Sequence, residues 1–523
     1  MSTTTTLTPA SSREKGLKRG AVGLVGSVVV GIASTAPAYS LAATLGLVVV
    51  SGAGLKAPAI MLLAFIPMYF IAVAYKELNE AEPDCGTTFT WASRAFGPIV
   101  GFMGGWGIVI SDIIVMANLA QIAGKYSFTL ANESGIHNTL DQSTLWSTIA
   151  GVIWIAVMTY ICFRGIEVSA RLQYALLGIE IVTLSVFAAV ALIKVYAHHA
   201  TASSLHPSLS WLWPGGLGMS AIASTVLLAV FIYWGWDTAV SINEESDDPG
   251  RTPGRAAVIS TVMLLLIYVL VTVAAIAYAG VGTDGIGLGN GNNGSDVFSA
   301  IGPSLYGHSA LGHIGLALLA ITILTSSAAS TQTTILPTAR TALSMASHRA
   351  IPTKFATIHK RFLTPTWATI GMGVVSIVFY VAMTLISQNL LNAIIGAIGL
   401  QIAFYYGLTG IACFWFYRKQ VLTGLTLFTR VLFPLLGAIF LFVMFFYAAH
   451  TYLAVDYLAD DAGNNVTIWG YGAVGVVGIV SLLFGFVLMA LQWAFSPDYF
   501  RGKTLPRRSA EELSAEDLAA DIA

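Results

Sequence analysis

Gly31-Ile-Ala-Ser-Thr-Ala-Pro37 interrupts an apolar run that extends from residue 20 to residue 50. A run of that length is enough to cross a hydrocarbon core about 30 Å thick at about 1.5 Å per helical residue. Yet Ser34 and Thr35 stand ahead of Pro37 in the order in which a helix restarts, with a hydroxyl cap and proline at its first position. A second interruption, Tyr233-Trp-Gly-Trp-Asp-Thr238, lies in another apolar run, where Gly235 and Asp237 loosen an aromatic stretch. Broken helices leave N–H groups and positive dipole ends for a carboxylate and free carbonyls for a cation. Irregular backbone at mid-membrane is tolerated where it is buried in protein or lines a cavity. Taken singly, Pro37 and Gly235 describe kinks in packed helices equally well; as a pair at matching positions they describe a binding site.

Working outward, the whole chain has the same character: 56% of its 523 residues are hydrophobic and 10% are charged, against about 25% charged in soluble domains. Twelve spans are predicted, at 20–50, 57–78, 96–125, 145–163, 171–196, 219–243, 256–281, 310–347, 366–387, 389–416, 426–449 and 467–496. The interruptions fall in spans 1 and 6. Span 6 follows span 1 by five, an odd number, so the second half starts from the opposite side of the membrane, which is an inverted repeat. The expected organisation is an N-tail (1–19), a first repeat (20–196), a second repeat (219–416), two further spans (426–496) and a C-tail (497–523). The Gly- and Asn-rich stretch 282–309 has no Lys or Arg and reads as an outer loop. The acidic 509–523 segment reads as a solvated tail.

Lys and Arg concentrate on the cytoplasmic side of membrane proteins. With both termini cytoplasmic, all but Lys56, Lys125 and Lys194 of the 25 Lys and Arg residues fall inside. Eleven later spans argue against reading the first as a signal peptide. Cys85, Cys162 and Cys413 are widely spaced, with neither a zinc nor a disulfide pattern. His198, His199 and His206 lie near Pro207, Trp211 and Trp213 and read as part of an interfacial loop rather than a metal site. No cofactor, metal or nucleic-acid partner is expected.

Three stretches carry a family resemblance, which covers most of residues 20–420. They are Glu82-Pro-Asp-Cys-Gly-Thr-Thr-Phe-Thr-Trp91; Asp237 followed by Glu244-Glu245, Pro249, Arg251 and Pro253-Gly-Arg-Ala256; and Arg340-Thr-Ala-Leu-Ser-Met-Ala-Ser-His-Arg-Ala-Ile-Pro352 with Phe355, Lys360-Arg361 and Thr364-Pro365. Together they resemble the amino acid–polyamine–organocation superfamily. The sequence departs from that pattern at Ala33-Ser-Thr-Ala-Pro37, where relatives have more glycine, and in a spacing between Pro249 and Pro253 that is one residue short. The resemblance implies an all-α membrane fold of twelve helices with a 5+5 inverted repeat, broken helices 1 and 6 and two extra C-terminal helices. It also implies alternating access, with substrate held by Ala33, Ser34, Thr35 and Ala36 and by Tyr233, Trp234, Gly235, Trp236 and Asp237. Phe231, six residues before the acid, takes the place of a gating aromatic; packing in the core explains it equally.

Ionisable groups within a span cost about 2.5–3.5 kcal/mol on insertion scales and are functional candidates by default. Asp237, Glu180 and Asp112 qualify, in that order. A carboxylate withdrawn from water can bind and release a proton near neutral pH, as proton coupling requires; each could equally pair with a substrate ammonium or hold structure together. Span 8 carries hydroxyls from Thr325 to Thr334. Most serve as interhelical glue, but in sodium-coupled proteins of the implied fold such hydroxyls join span-1 carbonyls around the ion, which makes Thr325, Ser326 and Ser327 a candidate sodium site. The three buried acids favour protons over sodium. The chain lacks HExxH, GxSxG and a P-loop, so neither an enzyme nor an ATP-driven pump is expected. The reading is a secondary transporter of an amino acid or amine in a cell membrane, with an exchanger or a non-transporting receptor as alternatives.

Overall fold

The computed structural model describes residues 15–136, 138–294, 296–307, 309–387, 394–420, 423–459, 464–508 and 512. Among the described residues the chain is a helical bundle apart from a two-stranded hairpin, Thr467–Ile468 against Tyr471–Gly472. The first run divides into α1 (Leu24–Ser34), α2 (Pro37–Val48) and α3 (Ala57–Ala81). A short α4 (Thr88–Phe96) leads into α5 (Pro98–Glu133), α6 (Thr144–Arg164) and α7 (Ile166–Tyr196). After these come α8 (Met219–Ile232), α9 (Thr238–Ser241), α10 (Thr252–Ala279), α11 (Val297–Tyr306) and α12 (Ala310–Ser347). The chain closes with α13 (Thr366–Ile386), α14 (Ile395–Tyr417), α15 (Phe433–Tyr452) and α16 (Ala473–Phe495).

Ten helical runs among the described residues are long and apolar enough to cross a membrane. The expected twelve are not reached on length and composition because Leu24–Ala81 counts once and the expected sixth span stops at Ile232. The protein is thus a polytopic helical membrane protein. Leu266, Leu385 and Phe446 on the outer helices are exposed, as residues facing lipid should be. The loop expected at 282–309 holds a helix, α11, started by Asp296, whose side chain accepts from the Ser299 amide. The expected start of the last span, residue 467, is taken by the hairpin. Of the acidic tail at 509–523, all but Glu512 lies outside the described residues.

The neighbours of the helices follow a pairwise pattern. α1 packs on α10 as α8 packs on α3; α1 packs on α7 as α8 packs on α14; α5 packs on α6 as α12 packs on α13; and α5 packs on α14 as α12 packs on α7. Exchanging α1 with α8, α3 with α10, α5 with α12, α6 with α13 and α7 with α14 leaves this list unchanged. The described N-tail and the segment after α16 both contact the stretch between α3 and α5. Lys15 bonds Asp84 at 2.6 Å, and the Arg508 amide donates to the Arg94 carbonyl at 3.1 Å. Both tails therefore lie on one face of the bundle.

Candidate functional site

The two interrupted segments meet in the middle of the bundle. α1 ends at Ser34, and Ala36 adopts a left-handed conformation (φ 46°, ψ 65°) before Pro37 starts α2. A non-glycine residue there costs about 1–2 kcal/mol, which the surrounding bonds must offset. Several do. The Thr35 hydroxyl donates to the Ile32 carbonyl at 2.7 Å, Ser40 donates to the Thr35 carbonyl at 2.6 Å, and Ser330 of α12 donates to the Ser34 carbonyl at 2.9 Å. On the other segment α8 ends at Ile232, whose carbonyl accepts from the Tyr268 hydroxyl at 2.5 Å, and the chain turns through Gly235 before α9. Gly235 has φ +119°, and a Cβ there would lie 2.8 Å from the Ser34 carbonyl carbon and oxygen and 3.1 Å from the Thr35 nitrogen. Only glycine allows the backbones to touch so closely. Ser34 and Thr238 seal the junction with a hydroxyl pair at 2.8 Å.

Glu180 of α7 sits at the start of α2. Its Oε1 accepts from the Ala38 amide at 2.6 Å and from the Ser326 hydroxyl at 2.7 Å, while Ser326 also takes the Tyr39 amide at 3.2 Å. A carboxylate is the natural partner for first-turn N–H groups at a helix start. The expected donors at this broken end are therefore held by side chains of the protein itself. Glu180 Oε2 is buried without a hydrogen-bond partner among the described residues.

Asp237 lies at the far end of the second break, facing α14. The Tyr406 hydroxyl donates to its Oδ1 at 2.9 Å and the Tyr405 hydroxyl to its Oδ2 at 3.1 Å; the Trp234 indole N–H donates in turn to the Tyr405 oxygen. Trp236 is fully buried, edge-on to Tyr75 (centroids 5.2 Å apart, 83°) and tilted against Tyr406 (5.1 Å). Its indole N–H has no acceptor among the described residues.

The remaining candidates scatter. Asp112 is buried on α5 and accepts from Thr338 of α12 at 2.5 Å. Ser326 reaches the first break, whereas Ser327 bonds the Ile323 and Leu324 carbonyls of its own helix and Thr325 bonds Thr322. Ser330, rather than Thr325, Ser326 or Ser327, bonds a span-1 carbonyl. Ala33, Tyr233 and Phe231 are buried beside the breaks, and Tyr233 donates to the Met61 carbonyl at 3.2 Å. Tyr405 and Tyr406 were not singled out from the sequence, although two adjacent tyrosines in an apolar span carry hydroxyls that need partners when buried.

On the face that carries both tails, a second cluster closes over the bundle. Lys15 Nζ lies between Asp84 Oδ2 (2.6 Å) and Glu244 Oε1 (2.5 Å), and Arg340 holds Glu245 through two bonds of 2.9 and 3.0 Å. The Lys15 ammonium fills the space that Asp84, Cys85 and Glu244 would otherwise offer to a metal ion. Beside it a cavity of about 610 Å³ is lined by Arg19, Glu80, Glu244 and Asp247 among others.

A family model described as amino acid permease matches residues 20–479. Among curated proteins, the chain is 24% identical over 267 residues to the branched-chain amino acid permease BcaP of Bacillus subtilis, covering 49% of this chain and 54% of that protein. It is 23% identical over 262 residues to the low-affinity putrescine importer PlaP of Escherichia coli, covering 49% and 53%. Against an uncharacterized transporter of Mycobacterium tuberculosis it is 25% identical over 359 residues, covering 68% and 72%. The chain thus spans about half the length of the first two relatives.

Proposed function

This chain belongs to the amino acid permease family, and on that premise we propose that it is a secondary transporter carrying an amino acid or related amine across a cell membrane by alternating access. The observation that carries the proposal is the backbone contact of the two breaks, where Gly235 rests on Ser34 and Thr35. Two helices interrupted at one junction form a hinge from which either half can swing. The exchangeable list of helix neighbours supports an inverted repeat of 20–196 and 219–416. In this reading α1 with α2 and α8 with α9 each count as one of twelve spans, and both tails are cytoplasmic, the orientation that the Lys and Arg distribution favours.

The coupling ion is a proton, and Glu180 carries it. As a carboxylate, Glu180 occupies the N-terminus of α2 through Ala38 and, with Ser326, the adjoining hydroxyl. A substrate carboxylate seeking the same helix end must displace it, and two anions cannot share that end without a large electrostatic cost. Protonating Glu180 removes the competitor, so proton and substrate load together. Asp237 already accepts from two tyrosines, which favours an amino acid held by its carboxylate over a polyamine held by its ammonium groups. The relatives' names span both classes, a branched-chain amino acid permease and a putrescine importer.

The test is uptake of labelled amino acids and polyamines into proteoliposomes under an inward proton gradient with sodium omitted. Accumulation that a protonophore abolishes is the expected result. Uptake that needs sodium would move the coupling to the hydroxyls of Ser326 and Ser330, beside the Ser34 carbonyl. Ligand binding without flux under any gradient would overturn transport and leave a receptor.

A further inference from the structure

Residues 497–508 form a strap across the face that bears the tails. Tyr499 and Phe500 enter an apolar cluster with Phe89, Phe102, Met345 and Leu482. The Tyr499 hydroxyl lies 2.8 Å from the Ser93 hydroxyl, and Arg94 donates to the Pro506 carbonyl at 3.0 Å. Just past the end of α12 the strap bonds His348 from both sides. Thr504 donates from its hydroxyl to the His348 carbonyl at 2.6 Å, and the His348 ring nitrogen Nδ1 lies 3.2 Å from the Thr504 carbonyl. A carbonyl only accepts, so Nδ1 must carry the hydrogen. In the neutral ring Nε2 is then a bare lone pair.

That lone pair points at an anion. Nε2 is buried, lacks a hydrogen-bond partner among the described residues and lies 4.0 Å from Asp84 Oδ2. The other Asp84 oxygen is fully used, accepting from the Gly86 amide and from the hydroxyls of Thr90 and Ser344, each at 2.7 Å. Around it Lys15 and Arg340 oppose Asp84, Glu244 and Glu245, which leaves the cluster one negative charge in excess when His348 is neutral. The groups facing His348 are Asp84 from the stretch after α3, the Phe89 ring of α4 and the Thr504 carbonyl of the strap. Lys15 bonds the same Asp84 oxygen, Oδ2, at 2.6 Å and opposes protonation. Arg349 is turned away to Asp498 at 3.0 Å. A second proton on the ring would turn Nε2 into a donor toward Asp84 and supply the missing charge, and histidine is the side chain that commonly serves such switches.

We propose that His348 is a proton sensor on the cytoplasmic face: protonated, it bonds Asp84 through Nε2 and Thr504 through Nδ1 together, locking the strap to the N-tail cluster and holding that face closed. Transport would then slow as the cytoplasm acidifies. The slowing rests on the proposed transport function; the locking does not.

Two measurements on the full-length protein in nanodiscs or proteoliposomes separate them. The first is hydrogen–deuterium exchange of 497–508 between pH 8 and pH 5.5, corrected for intrinsic rates. Wild type should gain about tenfold protection at the lower pH, the effect expected of one charge-assisted hydrogen bond. His348→Gln should lose that dependence, and His348→Arg should stay protected at both values, which controls for misfolding. Equal pH dependence in His348→Gln and wild type would overturn the sensor. The second is uptake with only the tail-side compartment acidified, where wild type should slow and His348→Gln should not. A strap that locks in a protein showing no flux would refute transport and leave the sensor standing; a strap that locks while wild-type flux is unchanged would overturn its control of transport.

Discussion

Glu180 and Ala38 are 142 residues apart in sequence and 2.6 Å apart in space, with the carboxylate of one closing the helix start of the other. That bond places an ionisable group at the point where the first broken helix resumes, and Ser326 ties the same oxygen to α12. A change of charge at Glu180 is therefore felt by three elements, α2, α7 and α12.

Glu180→Gln keeps an acceptor for Ala38 but removes the titration. Proton-driven accumulation should be lost while exchange of labelled for unlabelled substrate continues. Glu180→Ala removes the acceptor as well, and an unsatisfied buried donor costs about 1–3 kcal/mol, so this variant should also melt earlier. Accumulation by Glu180→Gln at the wild-type level would rule the residue out as the proton carrier.

Gly235→Ala places a methyl 2.8 Å from the Ser34 carbonyl, in a backbone region that L-residues avoid. Strain of this kind costs about 1–3 kcal/mol, and the junction must open to relieve it. Ligand affinity and melting temperature should both fall. A normal melt with normal binding would show that the breaks do not need this contact.

Tyr405→Phe and Tyr406→Phe each strip one donor from Asp237, at a cost of about 1–3 kcal/mol for a bond to a buried charged group. In the background of Asp237→Asn the same changes should cost less, because the three residues form one network. A double-mutant cycle on thermal stability in detergent reads the coupling, and strict additivity would contradict it.

The tie between Lys15 and Asp84 should resist pH. Burial alone would raise the Asp84 carboxyl, but the Lys15 ammonium, with the His348 ring beside it, outweighs burial and holds the group well below the usual carboxylate range. Burial would lower Lys15, and Asp84 beside it holds it well above its ordinary value instead. A depressed acid stabilises above its unfolded value and loses that as pH falls through the folded one; a raised base stabilises below its unfolded value and loses that as pH rises through the folded one. The tie is thus complete between about pH 4 and pH 10.4. Protease resistance of the N-tail should stay constant across that window, whereas Lys15→Met, which leaves two buried carboxylates without their cation, should release the tail at pH 7. A wild-type tail freed at pH 6 would contradict this assignment.

What the sequence made readable were the features with local causes. Pro37 and Gly235 restrict or free their own backbone whatever surrounds them, so both interruptions could be placed from a handful of residues. Glu180 drew notice because a charge in an apolar run is costly wherever it ends up. The partners of Asp237 were hidden because Tyr405 lies 168 residues away and ordinary packing of a tyrosine looks the same in sequence. Lys15 was counted only as one of the tail's cations, since nothing near it announces two acids folded over it. α11 was missed because its 10 residues fall short of a span and glycine and asparagine precede it.

The strap at 497–508 has a bearing on biogenesis. Tyr499, Phe500 and Leu505 finish an apolar cluster whose other members, Phe89, Phe102 and Met345 among them, emerge from the ribosome far earlier. Until those last side chains arrive, the bundle presents an uncovered greasy patch on one face, the kind of surface that chaperones and proteases engage. A chain cut short after α16 would be inserted and helical yet leave that patch uncovered.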